Sequence, residues 1–144
     1  AGGLRNSSNI TITGSGNKIT TTGEGSAGIF AENGGDIVFT KDVDILTTGR
    51  NSTGIMAWTD VNVLVNGGSI VTEYEGSQGI RAEHNANVVL NNTNISSGGE
   101  AVQVDNGSTV SLTNSVVRTG SDSSSLLVYQ QGTLNLDHVD LENL

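Results

Sequence analysis

The feature that most constrains this chain is internal repetition. Residues Lys18 to Val43 (KITTTGEGSAGIFAENGGDIVFTKDV) align without a gap over 26 residues with Asp44 to Ser69 (DILTTGRNSTGIMAWTDVNVLVNGGS). Both read I-x-T-T-G, then S-[AT]-G-I-x-A, then an alternating apolar run. The segment Ile70 to Asn94 keeps G-S-Q-G-I-R-A and N-V-V-L-N-N, and two more units keep the apolar grid with weaker identity. Self-similarity at a period of about 20–50 residues is the mark of a stacked-repeat architecture.

The grid predicts which architecture. A first strand is anchored by Ile19, Ile45, Ile70, Ile95, Val117 and Leu141. A second places Ile29, Ile55, Ile80, Val102 and Leu126 in register, with Ala31, Ala57, Ala82, Val104 and Val128 two residues on. A third places Ile37, Val63, Val88, Val110 and Leu134, then Phe39, Val65, Leu90, Leu112 and Leu136. Residues at i and i+2 share one side of a strand. Two such pairs and the first-strand anchor in each unit describe a three-sided coil whose copies stack at the inter-strand spacing of about 4.8 Å. The second-strand anchors give units of 26, 25, 22 and 24 residues, with most of the variation between the first and second strands. The fold class predicted is therefore all-β, a parallel β-helix of about five or six coils, forming one segment over residues 1–144.

Composition agrees. Hydrophobic residues are 34% and aromatics 3%, thin for a globule but sufficient for a core one side chain deep from each wall. Disorder, the rival reading of so polar a chain, does not account for β-branched residues gathered into alternating runs. Glycine and asparagine at Gly34-Gly35, Gly67-Gly68, Asn91-Asn92 and Asn106-Gly107 suit corners that need positive φ. The chain has no proline, whose missing N–H would interrupt a ladder, and no cysteine, which excludes disulfides and thiolate metal sites. A leucine-rich repeat would carry a stricter leucine and asparagine signature, and a propeller blade more residues. A β-sandwich gives no reason for self-similar units, and the calcium-binding nonapeptide pattern is absent.

The formal charge is −9 with six basic residues, which argues against nucleic acid and anionic lipid as partners. No run approaches the ~20 apolar residues of a membrane helix, so no membrane insertion by this segment is expected. Ala1 to Asn9 read as an incomplete leading turn, Ile10 and Ile12 as the third strand of a preceding coil, and Leu144 as lying just inside a sixth first strand. Neither end carries a polar cap or amphipathic helix, so a fragment of a longer array is expected.

The tandem I-x-T-T-G, S-x-G-I-x-A and V-x-V patterns resemble the passenger domains of bacterial autotransporters, most clearly over residues 18–69 and more weakly after Asn94. The resemblance implies a right-handed β-helix displayed at, or released from, the outer membrane of a Gram-negative bacterium, with a translocator barrel outside this segment. It implies an adhesin-type function: attachment to a host surface protein or glycan, or self-association between passengers in biofilm.

Chemistry-bearing residues are few. His84 and His138 fall at different corners, so no shared metal site is expected, and no G-x-S-x-G elbow is present. The serine run Ser121 to Ser125, interrupted by Asp122, reads as a polar loop. Polysaccharide lyases and hydrolases also use parallel β-helices, and their chemistry needs clustered carboxylates. Glu32, Glu83 and Asp105 share a column just after the second strand, but Trp58 interrupts it, leaving Glu83 and Asp105 as neighbours with Arg81 nearby. This trio is a candidate polar binding site, and its plainer reading is solvated acidic surface. Asp42 with Asp44 and Glu73 with Glu75 supply no recognisable calcium ligand set. The outward positions of the second strand bring Phe30, Met56 and Trp58 together on adjacent coils, and exposed apolar clusters mark interaction surfaces. Aliphatic stripes at Val38, Leu64 and Val89 and at Leu46 and Val71 read as neighbour packing or β-propensity. The expectation is a non-catalytic binding segment, with no catalytic residues, cofactor or metal. A carbohydrate-active β-helix and a purely structural stalk are the alternatives.

Overall fold

The computed structural model describes residues 4–6, 8–39, 41–120 and 124–143, the first three by their backbone only. The described residues form a parallel β-solenoid with no helix. Second strands β1 (Leu4–Asn6), β4 (Ile29–Glu32), β7 (Ile55–Trp58), β9 (Ile80–Glu83), β11 (Val102–Val104) and β13 (Leu126–Val128) stack into one six-stranded sheet. Third strands β2 (Ile10–Ile12) and β5 (Asp36–Phe39) and first strands β3 (Asn17–Thr21) and β6 (Val43–Thr47) are separate in the early coils. From β8 (Asn62–Thr72) onward, through β10 (Asn87–Ser97), β12 (Thr109–Thr119) and β14 (Thr133–Asn143), the third strand runs directly into the next first strand.

The corners expected at Gly67-Gly68 and Asn91-Asn92 are therefore bends inside continuous strands. Asn92, Asn114 and His138 hold φ of 54°, 50° and 54°, and each turns the chain while its neighbours keep their ladder partners. The leading segment also differs from expectation. Leu4–Asn6 is a second strand in register with Ile29–Ala31, not a bare turn, while residues 1–3 and 7 lie outside the described set. Ile10–Ile12 does form the third strand of that coil, opposite Ile37–Phe39.

Leu4, Ile29, Ile55, Ile80, Val102 and Leu126 stand in one column, so successive coils advance by 25, 26, 25, 22 and 24 residues. The gapless alignment of the two most similar units holds only in part. Phe39 pairs with Val65, as aligned, but Val43 pairs with Gly68 instead of Ser69. The chain takes one more residue between Phe39 and Val43 than between Val65 and Gly68, a local bulge.

The core is the predicted grid. Columns such as Ile29–Ile55–Ile80–Val102 and Phe39–Val65–Leu90–Leu112 are fully enclosed. The glycine of S-x-G-I-x-A is explained by close approach. A Cβ on Gly28 would lie 2.7 Å from the Gly54 carbonyl oxygen, one on Gly54 2.6 Å from that of Gly79, and one on Gly79 2.5 Å from that of Ala101.

One column is polar. Thr21, Thr47, Thr72, Ser97 and Thr119 point inward at the end of the first strand and are buried. Thr72 Oγ1 donates to the Ser77 carbonyl (3.0 Å), shares a hydrogen bond with Ser97 Oγ (2.9 Å) and accepts from Gly98 N–H (3.3 Å). Thr47 Oγ1 has no partner. Buried hydroxyls stabilise only when paired. Thr72→Val is therefore expected to cost about 1–2 kcal/mol, whereas Thr47→Val should leave stability unchanged or raise it. Urea unfolding of the two variants checks this, and equal losses would contradict it.

Candidate functional site

The site is built on the outer face of the six-stranded sheet. Second strands alternate inward and outward, so burying Ile29 and Ala31 turns Phe30 and Glu32 out, and the same holds at each coil. Phe30 stands in register with Met56, Met56 with Arg81, and Arg81 with Gln103. In the next column Glu32 pairs with Trp58 and Trp58 with Glu83.

The aromatic half of this face is a stack. The Phe30 and Trp58 rings lie 6.4 Å apart at 29°, and Trp58 and the His84 imidazole 5.7 Å apart at 21°. Trp58 is 41% exposed, while Phe30 and Met56 are half-buried beside it. Phe30, Glu32, Asn33, Trp58 and Thr59 line an open depression of about 420 Å³. His84 holds φ at 58° in the corner after β9, which sets its ring against Trp58, with Nδ1 3.8 Å from Glu83 Oε2.

The polar half is more enclosed than a solvated acidic surface. Glu83 and Asp105 are only 7% and 4% exposed. Arg81 Nε donates to Glu83 Oε1, two residues on along the outer side of β9. Gln103 Nε2 donates to Tyr129 OH (2.6 Å) and, more weakly, to Asp105 Oδ2 (3.4 Å), while Gln78 donates to Gln103 Oε1. Asp105 Oδ1 is buried without a hydrogen-bond partner. Desolvation and the nearby Asp105 charge push the Tyr129 phenol above its usual range. The plain solvated reading of the acidic pair fails because long neighbours, Arg81, Gln103 and Tyr129, lie over short carboxylates.

Other candidates disperse. Val38, Leu64, Val89, Leu46 and Val71 are half-buried in flat faces. Asp44 accepts from Ser69 Oγ (2.8 Å), and no metal-suited cluster of three or more ligands occurs among the described residues. His138 sits in the β14 bend, hydrogen-bonded to Asp137 (2.5 Å), away from the His84 corner. Residues 121–123 of the serine run lie outside the described set; the Ser125 carbonyl caps Ala101 and Val102 N–H.

Sequence reading missed Gln78, Gln103 and Tyr129 as members of the polar half. Alternation turns Gln103 and Tyr129 outward, but Gln78 lies in the turn before β9, and the mutual reach of the three across coils depends on rotamers. It also missed a second corner feature, where Arg50 lies over the Tyr74 ring at 5.3 Å and donates to its hydroxyl (3.0 Å). No protein family, curated protein or solved structure matches this chain.

Proposed function

We propose that this chain is a non-catalytic binding segment of a surface-displayed, adhesin-type passenger, and that the outer face of its six-stranded sheet contacts extracellular glycan. The observation that carries the reading is the continuity of that face. Phe30, Trp58, His84, Glu83, Asp105 and Tyr129 form an unbroken strip across five coils, aromatic at one end and hydrogen-bonding at the other. The remaining outer faces carry half-buried aliphatic stripes and short polar ladders, such as Asn66–Asn91 and Asn62–Asn87, whose members satisfy one another. A rigid strip with side chains repeating at about 4.8 Å suits an extended polymer better than a small molecule. Many copies on one cell would multiply weak contacts into firm attachment. The autotransporter resemblance of residues 18–69 supports display at a Gram-negative cell surface.

Trp58→Ala is the direct test. The side chain lies outside the core, so the melting temperature should move little. Binding to immobilised polysaccharide should fall about tenfold, the equivalent of about 1.4 kcal/mol. Unchanged binding would remove the aromatic end from the site. Steady release of cleaved sugar in the same assay would favour the hydrolase or lyase reading, with Glu83 and Asp105 as its carboxylates.

A further inference from the structure

We infer that the polymer this strip selects is an amino sugar, and that the Glu83–Asp105 end seats one of its ammonium groups. The inference rests on the glycan reading above and narrows it to a chemical class.

Three observations lead there. First, Asp105 is more than nine-tenths buried; one of its carboxylate oxygens takes a long bond from Gln103 with the Tyr129 phenol close by, and the other has no hydrogen-bond partner. A buried carboxylate oxygen without a donor is costly, and an incoming N–H or O–H removes the cost. Second, the charge there does not balance. Glu83 and Asp105 stand on adjacent coils, about 4.8 Å apart along the stack. Arg81 is the guanidinium beside them, and it is already bonded to Glu83. His84 faces the outer oxygen of Glu83 at 3.8 Å, not Asp105. The site thus lacks about one positive charge. Third, the chain carries −9 overall, so an anionic polysaccharide is repelled and a cationic one attracted.

The neighbours fit a sugar. Tyr129 is exposed and presents a hydroxyl that matches ring hydroxyls, and Gln103, itself held by Gln78, fixes that hydroxyl in place. The coil spacing is close to the advance of one pyranose in an extended β-linked chain, so successive units meet successive coils. A basic peptide would also bring ammonium groups. However, β7, β9 and β11 are each paired on both sides, so this face offers no free edge for a peptide to join as a strand.

The test is calorimetric titration of the chain with a β-linked glucosamine hexamer, its fully N-acetylated counterpart and hexalysine, at low and raised salt. The glucosamine hexamer should bind about tenfold more tightly than the acetylated one, and weaken as salt screens the charge. Asp105→Asn should remove most of that preference while melting at the same or a higher temperature. Equal binding of the two hexamers would overturn the ammonium seat and leave the glycan reading standing. Binding of neither sugar would overturn both. Hexalysine binding as tightly, with the same sensitivity to Asp105→Asn, would make the partner a basic peptide and overturn the amino-sugar assignment. Should Asp105→Asn fail to fold, the acetylation and salt comparisons on the unsubstituted chain decide alone.

Discussion

Gly68→Ala is expected to lower the unfolding free energy by about 3 kcal/mol, far more than an alanine in an ordinary strand would. Gly68 holds φ at +97°, and a Cβ there would stand 2.6 Å from both the N and the carbonyl C of Val43, with the Val43 oxygen closer still. Those are backbone atoms of the coil below and cannot rotate away. The next coils tolerate Thr93 and Ser115 at this step of the bend, after Asn92 and Asn114. The difference lies in the residue count beneath. Five steps separate Ile12 from Asn17, four separate Phe39 from Val43, and three separate Val65 from Gly68. Val43 follows a connection one residue longer than the one before Gly68, and its backbone occupies the space that a side chain on Gly68 would need. This account makes a second demand. Deleting Lys41 while replacing Gly67 and Gly68 by Asn and Thr writes the Asn92-Thr93 bend into this coil. That combined variant should denature at a higher urea concentration than Gly68→Ala. If it is less stable than Gly68→Ala, the bulge is not the cause.

The same bulge shows where sequence reading stops. The five apolar anchor columns were legible because an inward position in a stacked coil has one requirement, an apolar side chain of moderate size, and isoleucine on isoleucine repeats it visibly. The register slip at Val43 was not legible, because Val43 and Ser69 satisfy a gapless alignment as well as Val43 and Gly68 do; only the ladder partner distinguishes them. The polar inward column was half visible as the T-T of I-x-T-T-G, but its pairing with Ser77 and Ser125 comes from the neighbouring turn. On the outer face, alternation assigned Phe30, Met56, Trp58, Arg81, Glu83 and Asp105 to the outside. It carried no information on which long side chains fold over which short ones. That is why Glu83 and Asp105 read as solvated acids yet are enclosed, and why the imidazole of His84 joins the Phe30–Trp58 stack.

Phe39→Ala should be the other severe substitution, at about 3–5 kcal/mol, and its effect should be local. Phe39 is the largest fully buried side chain among the described residues, and its column neighbours are Ile12 below and Val65 above. Neither is long enough to fill the space an aromatic ring leaves. The leucines that occupy this column at Leu90 and Leu112 show what the coil accepts, so Phe39→Leu should cost under about 1.5 kcal/mol. Stability in a solenoid is a sum of coil terms and nearest-neighbour interfaces. The cavity should therefore loosen β2, β4 and β5 and the strands that touch them, while β10 and β12, whose interface does not include Phe39, keep their protection. Amide hydrogen exchange on Phe39→Ala reads this strand by strand. A uniform loss of protection through β12 would mean that the coils unfold as one unit, so that the repeats visible in the sequence are not separable units of stability. Loss confined to the first coils would make the polar end of the outer face, over β9 and β11, independent of damage at the other end.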